Sequence, residues 1–262
     1  MIKVDSLSKT FKLSRQQRKE MNTKATTIKA VDNISFECHP GRIYSLLGPN
    51  GAGKTTTLRM LATILKPSSG TIHINDFEAS ADGEKVRQQI GFLTGSTGLY
   101  QRLTPNELVK YFADLYKVDS ATYKRRKEEL FTLLDMHDFA KKRIGHLSTG
   151  MKQKVSIVRT IIHDPSVVVF DEPTTGLDVI TAANIIQLIR QCKEEGKTVI
   201  FSSHIMSEVD LLCDDLAIIH KGKLCYASTM EQFRNQMQAE NLTAEFIRII
   251  NNQENNVSNS LK

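Results

Sequence analysis

The chain has 262 residues, of which 40% are hydrophobic, so it can bury a substantial core as one large domain with subdomains. Its formal net charge of +6 is too small for this length to favour nucleic acid or an anionic membrane as a partner. The four cysteines are scattered and form no C-x-x-C pair, which argues against a disulfide framework and a zinc site. The sequence shows no apolar leader and no apolar run of roughly 18 to 20 residues, which argues against secretion and a membrane-spanning helix.

Short apolar or β-branched runs alternate with helical patterns along the chain, which predicts an α/β sheet. Two of these runs, RIYSLL and SVVVF, lack polar alternation, as is typical of central strands that are covered on both faces. The segment from His220 to Lys223 predicts a hairpin turn between two late strands. The predicted strands are IKVDSL, ISFEC, RIYSLL, TIHIN, IGFL, SVVVF, KTVIF and DLAIIH.

Strand signals stop between Gly95 and Asp164, and helical patterns replace them. We therefore expect a helical subdomain over about residues 96–164, inserted into a larger domain that spans residues 1–240. Its first predicted helix is capped by Thr104, with Pro105 at the first position and Glu107 completing a capping box. A second helix is predicted over Tyr123 to Leu134, and a third begins near Thr149.

Two segments do not fit the core pattern. Residues 12–29 carry six basic side chains against Glu20 and little apolar periodicity, so we expect a solvated loop insertion. Such a run of charges contacts anionic lipid or a partner protein in some proteins. In others it is only a solvated surface. In the polar C-terminal tail, residues 241–262, the part from Asn251 is rich in Asn, Ser and Gln, and we expect it to be disordered.

A phosphate-binding loop is predicted from Gly48 to Thr56, where the sequence matches G-x-x-x-x-G-K-[ST] between a strand and a helix. The glycines let successive backbone N–H groups converge on phosphate oxygens, at the positive end of the following helix. Lys54 is expected to reach the β- and γ-phosphates, and the Thr55 hydroxyl to ligate Mg²⁺. A glycine-rich turn without ligand is the alternative, and the flanking strand and helix argue against it. The predicted nucleotide-binding residues of this loop are Gly48, Pro49, Asn50, Gly51, Ala52, Gly53, Lys54, Thr55 and Thr56.

Asp171 and Glu172 directly follow the predicted buried strand SVVVF, at the end where open α/β sheets bind ligands. We expect Asp171 to hold Mg²⁺ and Glu172 to act as the general base that polarises the attacking water. The alternative is a strand-end cap. His204 ends another strand and has the chemistry to hydrogen-bond the γ-phosphate, although a lone strand-end histidine is more often merely packed.

Leu147-Ser148-Thr149-Gly150-Met151, before a predicted helix, resembles the LSGGQ signature of ATP-binding-cassette (ABC) proteins. It lies upstream of VVVFDEPTTGLD, and the phosphate loop, signature, acidic strand end and His204 follow the order of that family from about Ile2 to Tyr226. The resemblance implies an α/β P-loop NTPase cassette: a mixed β-sheet core flanked by helices, an inserted helical subdomain and an N-terminal antiparallel β subdomain. It also implies that the chain hydrolyses ATP with Mg²⁺ as cofactor, with Lys54, Glu172 and His204 as catalytic residues.

The same resemblance implies a head-to-tail homodimer with ATP between the phosphate loop of one copy and the signature of the other. Ser148 and the Gly150 backbone would then close on the γ-phosphate from a helix N-terminus, although Ser148 would cap that helix in any case. Phe11 takes the position that stacks on adenine, with a buried core phenylalanine as the alternative. Asp178 would take part in communication across the dimer, with a simple helix cap as the alternative.

Two positions depart from the family pattern. Gly95 stands where the family usually has a glutamine that contacts Mg²⁺ and couples to the membrane domain, and Met151 replaces the usual glutamine or glutamate of the signature. The first departure puts metal coordination and the coupling route in doubt, and the second removes a polar group near the ribose. Neither affects Lys54, Glu172 or Ser148, so we expect hydrolysis to be retained.

The segment from Gly98 to Tyr116 looks like that of ATPase subunits of bacterial sodium-extruding ABC exporters, and similar subunits serve antibiotic, peptide or polysaccharide export. The resemblance implies transmembrane permease partners, a peripheral location on the cytoplasmic face of a bacterial cell membrane and no nucleic acid. An ABC ATPase that acts on nucleic acid or ribosomes usually has two cassettes or a long coiled-coil insertion, and neither is visible here. A P-loop kinase would leave the signature and His204 unexplained.

Overall fold

Two β-sheets and the helices around them form the computed structural model, which describes residues 1–95 and 98–259, with side chains up to residue 253. The strands are β1 (Ile2–Lys12), β2 (Thr27–Cys38), β3 (Ile43–Leu47), β4 (Ser69–Ile74), β5 (Phe77–Glu78), β6 (Ile90–Leu93), β7 (Val167–Asp171), β8 (Thr198–Ser203), β9 (Asp215–His220) and β10 (Lys223–Thr229). The helices are α1 (Arg15–Glu20), α2 (Lys54–Leu61), α3 (Gly83–Gln89), α4 (Pro105–Leu115), α5 (Ser120–Leu133), α6 (Thr149–Ile161), α7 (Val179–Glu194), α8 (Met206–Leu212), α9 (Met230–Gln236) and α10 (Leu242–Asn259).

The larger sheet has six strands in the order β10-β9-β3-β8-β7-β6. Its central strands pair in parallel, and only β10 runs antiparallel, through the predicted hairpin at Lys221 and Gly222. Every residue of β3, β7 and β8 is buried, which confirms the prediction of central strands covered on both faces. The carboxyl ends of these three strands therefore meet at one edge of the sheet.

The smaller sheet is antiparallel, with the strand order β2-β1-β4-β5. Its buried face, with Ile2, Ile34, Ile72 and Ile74, packs into a core shared with the apolar side chains of α2 and one face of the larger sheet. Mixed and antiparallel sheets with flanking helices confirm the predicted fold class. All eight predicted strands are present, and the short strand β5 was not predicted.

The chain between β6 and β7 is helical and contains α4, α5, α6 and two 3₁₀ turns, His137–Phe139 and Ile144–His146. The start of α4 has the predicted capping box: Glu107 N donates to Thr104 Oγ1 at 3.2 Å, and Thr104 N donates to Glu107 Oε2 at 2.8 Å. Helix α5 begins at Ser120, before the predicted Tyr123, because Asp119 caps it. Residues 96–97, where the helical subdomain was expected to begin, lie outside the described residues.

Part of the expected loop over residues 12–29 lies in regular elements of the structure. Strand β1 extends to Lys12, which pairs with Thr27 of β2, and the hairpin between them contains the helix α1. Ser14 and Gln17 form a reciprocal capping box that satisfies backbone N–H groups at the start of this helix. No residue of α1 is buried, so the segment is solvated as expected but ordered by local hydrogen bonds.

Residues 251–259, for which the composition predicts disorder, are helical in the structure. Helix α10 runs to Asn259, because Leu242, Phe246, Ile249 and Ile250 lie on one helical face and pack against the main core. The polar stretch continues a helix that this packing anchors. Residues 260–262 lie outside the described residues. None of the described helices is both long enough and apolar enough to cross a membrane.

Candidate functional site

The loop between β3 and α2 curls around a small cavity. It is lined by residues 50–56 together with Ala30 of β2 and Glu172. Gly53 has a φ of 110°, and a Cβ at this position would lie 2.5 Å from the carbonyl oxygen of Ala30, so only glycine fits here. The backbone therefore approaches β2 closely enough to turn directly into α2, with the N-terminus of this helix at the cavity.

Lys54 lies over this loop, and its side chain is only 4% exposed. Its Nζ donates to the carbonyl oxygens of Gly48 at 2.6 Å and Pro49 at 3.3 Å. The same atom lies 3.4 Å from Glu172 Oε1. The ammonium group is thus held between the loop and the acidic end of β7, beside the cavity.

Thr55 and Asp171, the two predicted metal ligands, are in contact. Thr55 Oγ1 donates to Asp171 Oδ1 at 3.0 Å, and Ser202 Oγ of the neighbouring strand donates to the same oxygen at 2.7 Å. Hydroxyl and carboxylate oxygens are the hard ligands that Mg²⁺ prefers, and the ion usually completes its shell with phosphate and water. The described residues contain no cluster of three or more His, Cys, Asp or Glu side chains that would hold a metal alone. The pair therefore fits a magnesium ion that arrives with a nucleotide.

Glu172 lies between two other predicted catalytic side chains. Its Oε1 faces Lys54 Nζ at 3.4 Å, and its Oε2 lies 3.3 Å from Nδ1 of His204. Thr175 Oγ1 also donates to Oε2 at 3.3 Å. The backbone of Glu172 is left-handed, with a φ of 49°, and its N–H is held by Ser202 at the end of β8. The carboxylate is therefore fixed above the phosphate loop.

Asp178 and the signature residues lie away from this cavity. Ser148 caps α6 by accepting from Met151 N at 3.2 Å, and none of Ser148, Gly150 and Asp178 lines the cavity beside Lys54. A Cβ at Gly150 would lie 3.6 Å from Asp178 Oδ2, so the start of α6 adjoins the start of α7. One chain alone does not bring the signature to the phosphate loop.

Asp178 caps α7, which confirms the local role considered as the alternative. Its Oδ1 accepts from Thr181 N and its Oδ2 from Thr181 Oγ1, both at 2.9 Å. These hydrogen bonds lower the pKa of the Asp178 carboxyl. A role in communication across a dimer stays a prediction.

Phe11 is half-buried on β1, so its interpretation as a buried core residue is wrong. It pairs across the hairpin with Ile28, which is 38% exposed, and Lys9 Nζ lies 5.3 Å from its ring centroid. Ala30 is two residues further along β2, at a register shift in the pairing with β1, and lines the cavity. An accessible aromatic face therefore lies on the strand pair that borders the phosphate loop.

The two departures from the family pattern have different surroundings. Gly95 is exposed, and a Cβ there would meet no atom within 4 Å, so the fold does not require glycine at this position. Met151 is half-buried and packs against the main core. Its side chain therefore has a packing role in this chain where the family usually has a polar one.

Sequence reasoning missed Ser202 and Thr175, the hydroxyl donors to Asp171 and Glu172. Two consecutive serines at the polar end of an otherwise apolar strand were a usable signal for Ser202. Thr175 had no comparable signal, because its contact depends on the left-handed turn at Glu172.

Comparison with protein families and curated proteins gives a consistent result. A family model described as "ABC transporter" matches residues 31–175. The chain is 44% identical over 226 residues to the ABC transporter ATP-binding protein NatA of Bacillus subtilis, which covers 86% of this chain and 92% of that protein. It is 38% identical over 197 residues to the bacitracin transport ATP-binding protein BcrA of Bacillus licheniformis, which covers 75% of this chain and 63% of that protein.

Solved structures share the fold over nearly the whole chain. The structure of an ATP-binding subunit of an ABC transporter superposes with a TM-score of 0.83 at 26% identity and covers 95% of this chain and 99% of that one. The dimeric ATP-binding cassette MJ0796, in a post-hydrolysis state bound to ADP and Pi, superposes with a TM-score of 0.76 at 25% identity over 88% of this chain and 99% of that one.

Proposed function

The chain belongs to the ABC transporter family as one of its ATP-binding, ATP-hydrolysing subunits, and on this basis we propose that it powers export through separate transmembrane permease subunits. The observation that carries the proposal is the position of Glu172, whose two carboxylate oxygens face Lys54 and His204 beside the phosphate loop. A base, a cation and an imidazole around one phosphate cradle match the requirements of phosphoryl transfer to water.

In this proposal the phosphates of ATP lie on residues 48–56, with the β- and γ-phosphates against Lys54. Glu172 accepts a proton from the attacking water, and His204 orients that water and the γ-phosphate. Thr55 and Asp171 would hold Mg²⁺, which would supply positive charge for the phosphate oxygens. Phe11 stacks on the adenine, on the accessible side of the hairpin.

We further propose that two copies enclose the nucleotide head to tail. The separation of Ser148 and Gly150 from the cavity within one chain supports this arrangement, because an anion site at the start of α6 then remains available to a second copy. Asp178, at the adjoining start of α7, would lie at the same interface. MJ0796 is described as dimeric, which is a property of that cassette.

The proposed location is the cytoplasmic face of a bacterial cell membrane, as a peripheral subunit bound to the permease.

Sodium is the proposed cargo, on the resemblance of residues 98–116 to sodium-extruding exporters. A second candidate is export of an antibiotic, peptide or polysaccharide, which the names of two relatives favour: bacitracin transport for BcrA and Nod factor export for a protein of Ralstonia nicotianae. Binding to nucleic acid is not expected.

Reconstitution tests the proposal. The chain is co-expressed with a candidate permease, and the purified pair is placed in vesicles loaded with ²²Na⁺, Mg²⁺ and ATP, so that complexes whose ATPase subunits face the lumen pump outwards. We expect Mg²⁺-dependent ATP hydrolysis and ATP-driven loss of ²²Na⁺, both absent with Lys54→Ala. Hydrolysis without sodium flux would remove sodium as cargo and leave the ATPase assignment intact. No hydrolysis in the intact complex would contradict the proposed role of this chain as the ATP-hydrolysing subunit that powers export.

A further inference from the structure

Glu208 lies in the first turn of α8 and connects the two loops that carry Glu172 and His204. Its Oε2 accepts a hydrogen bond from Ser203 Oγ at 2.9 Å, and its Oε1 accepts one from Thr174 Oγ1. A carboxylate only accepts hydrogen bonds and has two oxygens, so it matches two hydroxyl donors, one from the end of β8 and one from the loop after β7.

The contact with Ser203 bears on the backbone around His204. Ser203 is the last residue of β8 and is 2% exposed. Its hydroxyl group donates to Glu208, and the same hydroxyl oxygen accepts from Ile205 N at 2.9 Å. This one hydroxyl therefore fixes the chain on both sides of His204. Without Glu208, the Ser203 hydroxyl would lose the acceptor that sets its orientation.

The contact with Thr174 bears on the loop after Glu172. Thr174 is 6% exposed, and its carbonyl oxygen accepts from Leu177 N at 3.2 Å, which closes the turn. The next residue, Thr175, donates to the Glu172 carboxylate. Thr175 N also donates to the carbonyl oxygen of Glu172 at 3.4 Å, so Thr174 lies inside a turn that begins at Glu172, and anchoring Thr174 anchors that turn.

The paired positions of β7 and β8 end at Asp171 and Ser202, although Glu172 N still donates to Ser202 O at 3.2 Å. Beyond this bond the loop after β7 and the loop after β8 are joined by side-chain contacts. Glu172 and His204 both lie past this end, with 3.3 Å between Oε2 and Nδ1. The side chain of Glu208 bridges the loops after β7 and β8 at that point.

We propose that Glu208 is a positioning residue for ATP hydrolysis, which holds Glu172 and His204 at their working separation without touching the nucleotide. This inference rests on the proposed roles of those two residues. A purely structural role is the alternative, because an acidic side chain in the first turn of a helix also favours the helix dipole. The two roles differ in what they change: the first alters turnover, and the second alters only stability.

The experiment compares three variants of the full chain: Glu208→Ala, Glu208→Gln and, as a matched control on the same helix, Asp210→Ala. Asp210 is exposed and pairs with Arg234 at the surface, so its loss leaves the site unchanged. For Glu208→Ala we expect kcat to fall about 10- to 100-fold, as for other small misplacements of reacting groups, while the Kd for ATP from calorimetry stays within about 2-fold. Glu208→Gln is expected to recover part of kcat, because its amide oxygen still accepts one of the two hydrogen bonds.

A second variant, Thr174→Val, removes one hydroxyl at nearly constant volume and applies even if Glu208→Ala fails to fold. We expect a smaller loss of kcat, and the loss in the double variant Glu208→Ala with Thr174→Val to be less than the product of the single losses. Turnover equal to that of Asp210→Ala, or reduced only in proportion to the unfolded fraction, would overturn the inference.

Lys54→Ala in the same assay separates this inference from the proposed function. If Lys54→Ala hydrolyses ATP as the wild type does, the proposed site is wrong, and the role of Glu208 falls with it. If Lys54→Ala is inactive while Glu208→Ala matches its control, only the positioning role is lost.

Discussion

At the scale of single residues, Glu172 has the surroundings that a general base needs. It is held by a left-handed backbone and faces both a lysine and a histidine. Glu172→Gln keeps the shape and removes the proton acceptor, so we expect turnover to fall about 10²- to 10⁴-fold with ATP binding intact. Single-turnover hydrolysis and calorimetry measure the two quantities. Glu231→Gln, an exposed change on α9, is the control, and turnover like the wild type in the Glu172 variant would remove this residue from the base role.

We expect Lys54 to contribute to the binding of ATP rather than to proton transfer. Its ammonium group is nearly buried and already bonded to the loop that would hold the phosphates. Because hydrogen bonds to charged groups contribute about 1.5 to 3 kcal/mol, Lys54→Ala is expected to weaken ATP binding about 10- to 100-fold. Lys85→Ala, which removes an exposed lysine paired with Asp82, is the matched control. Equal affinities of the two variants for ATP in calorimetry would contradict the assignment of residues 48–56 as the phosphate-binding loop.

The sequence was sufficient to predict which charged residues gather at the site, but not how each is held. Lys54, Asp171 and Glu172 follow buried parallel strands, and the ends of such strands must meet at one sheet edge. Ser202 and Glu208, by contrast, depend on strand register and on the packing of α8, which no local pattern contains. Their roles become visible only once the distant parts of the chain are brought together.

At the scale of elements, the structure differs from the sequence-based expectations in two polar segments, α1 and the end of α10, which local composition suggested were unstructured. Helix α1 is stabilised by a capping box between Ser14 and Gln17, a signal that the sequence contained. Helix α10 is stabilised by tertiary packing of apolar residues that precede its polar end. Composition alone could not predict the second case, since the surface that covers α10 is formed by other elements, among them β10 and α8.

Glu245 is a test of how α10 is attached. The side chain, 3% exposed, accepts from Gln238 N and Ala239 N at 3.1 Å each and pairs with Arg248 at 2.6 Å. The hydrogen bonds from Arg248, followed by those from the backbone, lower the pKa of Glu245 from 4.5 to about 2. Because the pKa is depressed in the folded state, its stabilisation is present above about pH 4.5 and is lost as the pH falls towards 2.

We therefore expect Glu245→Gln to lower the free energy of unfolding by about 1 to 3 kcal/mol near neutral pH, because partly buried donors lose their ionised acceptor. Urea titrations at several pH values measure this difference, with the exposed Glu240→Gln as control. The difference from the wild type should narrow as the pH is lowered below about 4.5, where the wild-type carboxyl begins to lose its advantage. A difference that is constant with pH would show that ionisation of Glu245 contributes nothing.

At the scale of the whole molecule, the two halves of the proposed ATP site face different neighbours. Lys54 lines a cavity bordered by β2 and β7, while Ser148 is exposed at the start of α6, next to α7. A nucleotide on the phosphate loop therefore has one protein surface within the chain and, in the proposed dimer, a second from another copy. Two sites form in one dimer, because each copy supplies both parts.

Cysteine cross-linking between different chains tests this arrangement directly. Asn50 is exposed and lines the cavity, and Ser148 is exposed at the signature, so we place one cysteine at each position in separate chains. Both carry Glu172→Gln to prevent turnover and Cys225→Ser to remove a half-buried native thiol, the other three cysteines being buried. We expect a covalent dimer only when Asn50→Cys and Ser148→Cys chains are mixed with Mg²⁺ and ATP, and not with either chain alone. The geometric reason is that disulfides form only when Cα atoms approach to about 7 Å or less. Cross-linking that ignores ATP, or that occurs equally in the unmixed samples, would contradict the head-to-tail dimer while leaving the phosphate loop and its lysine as they are.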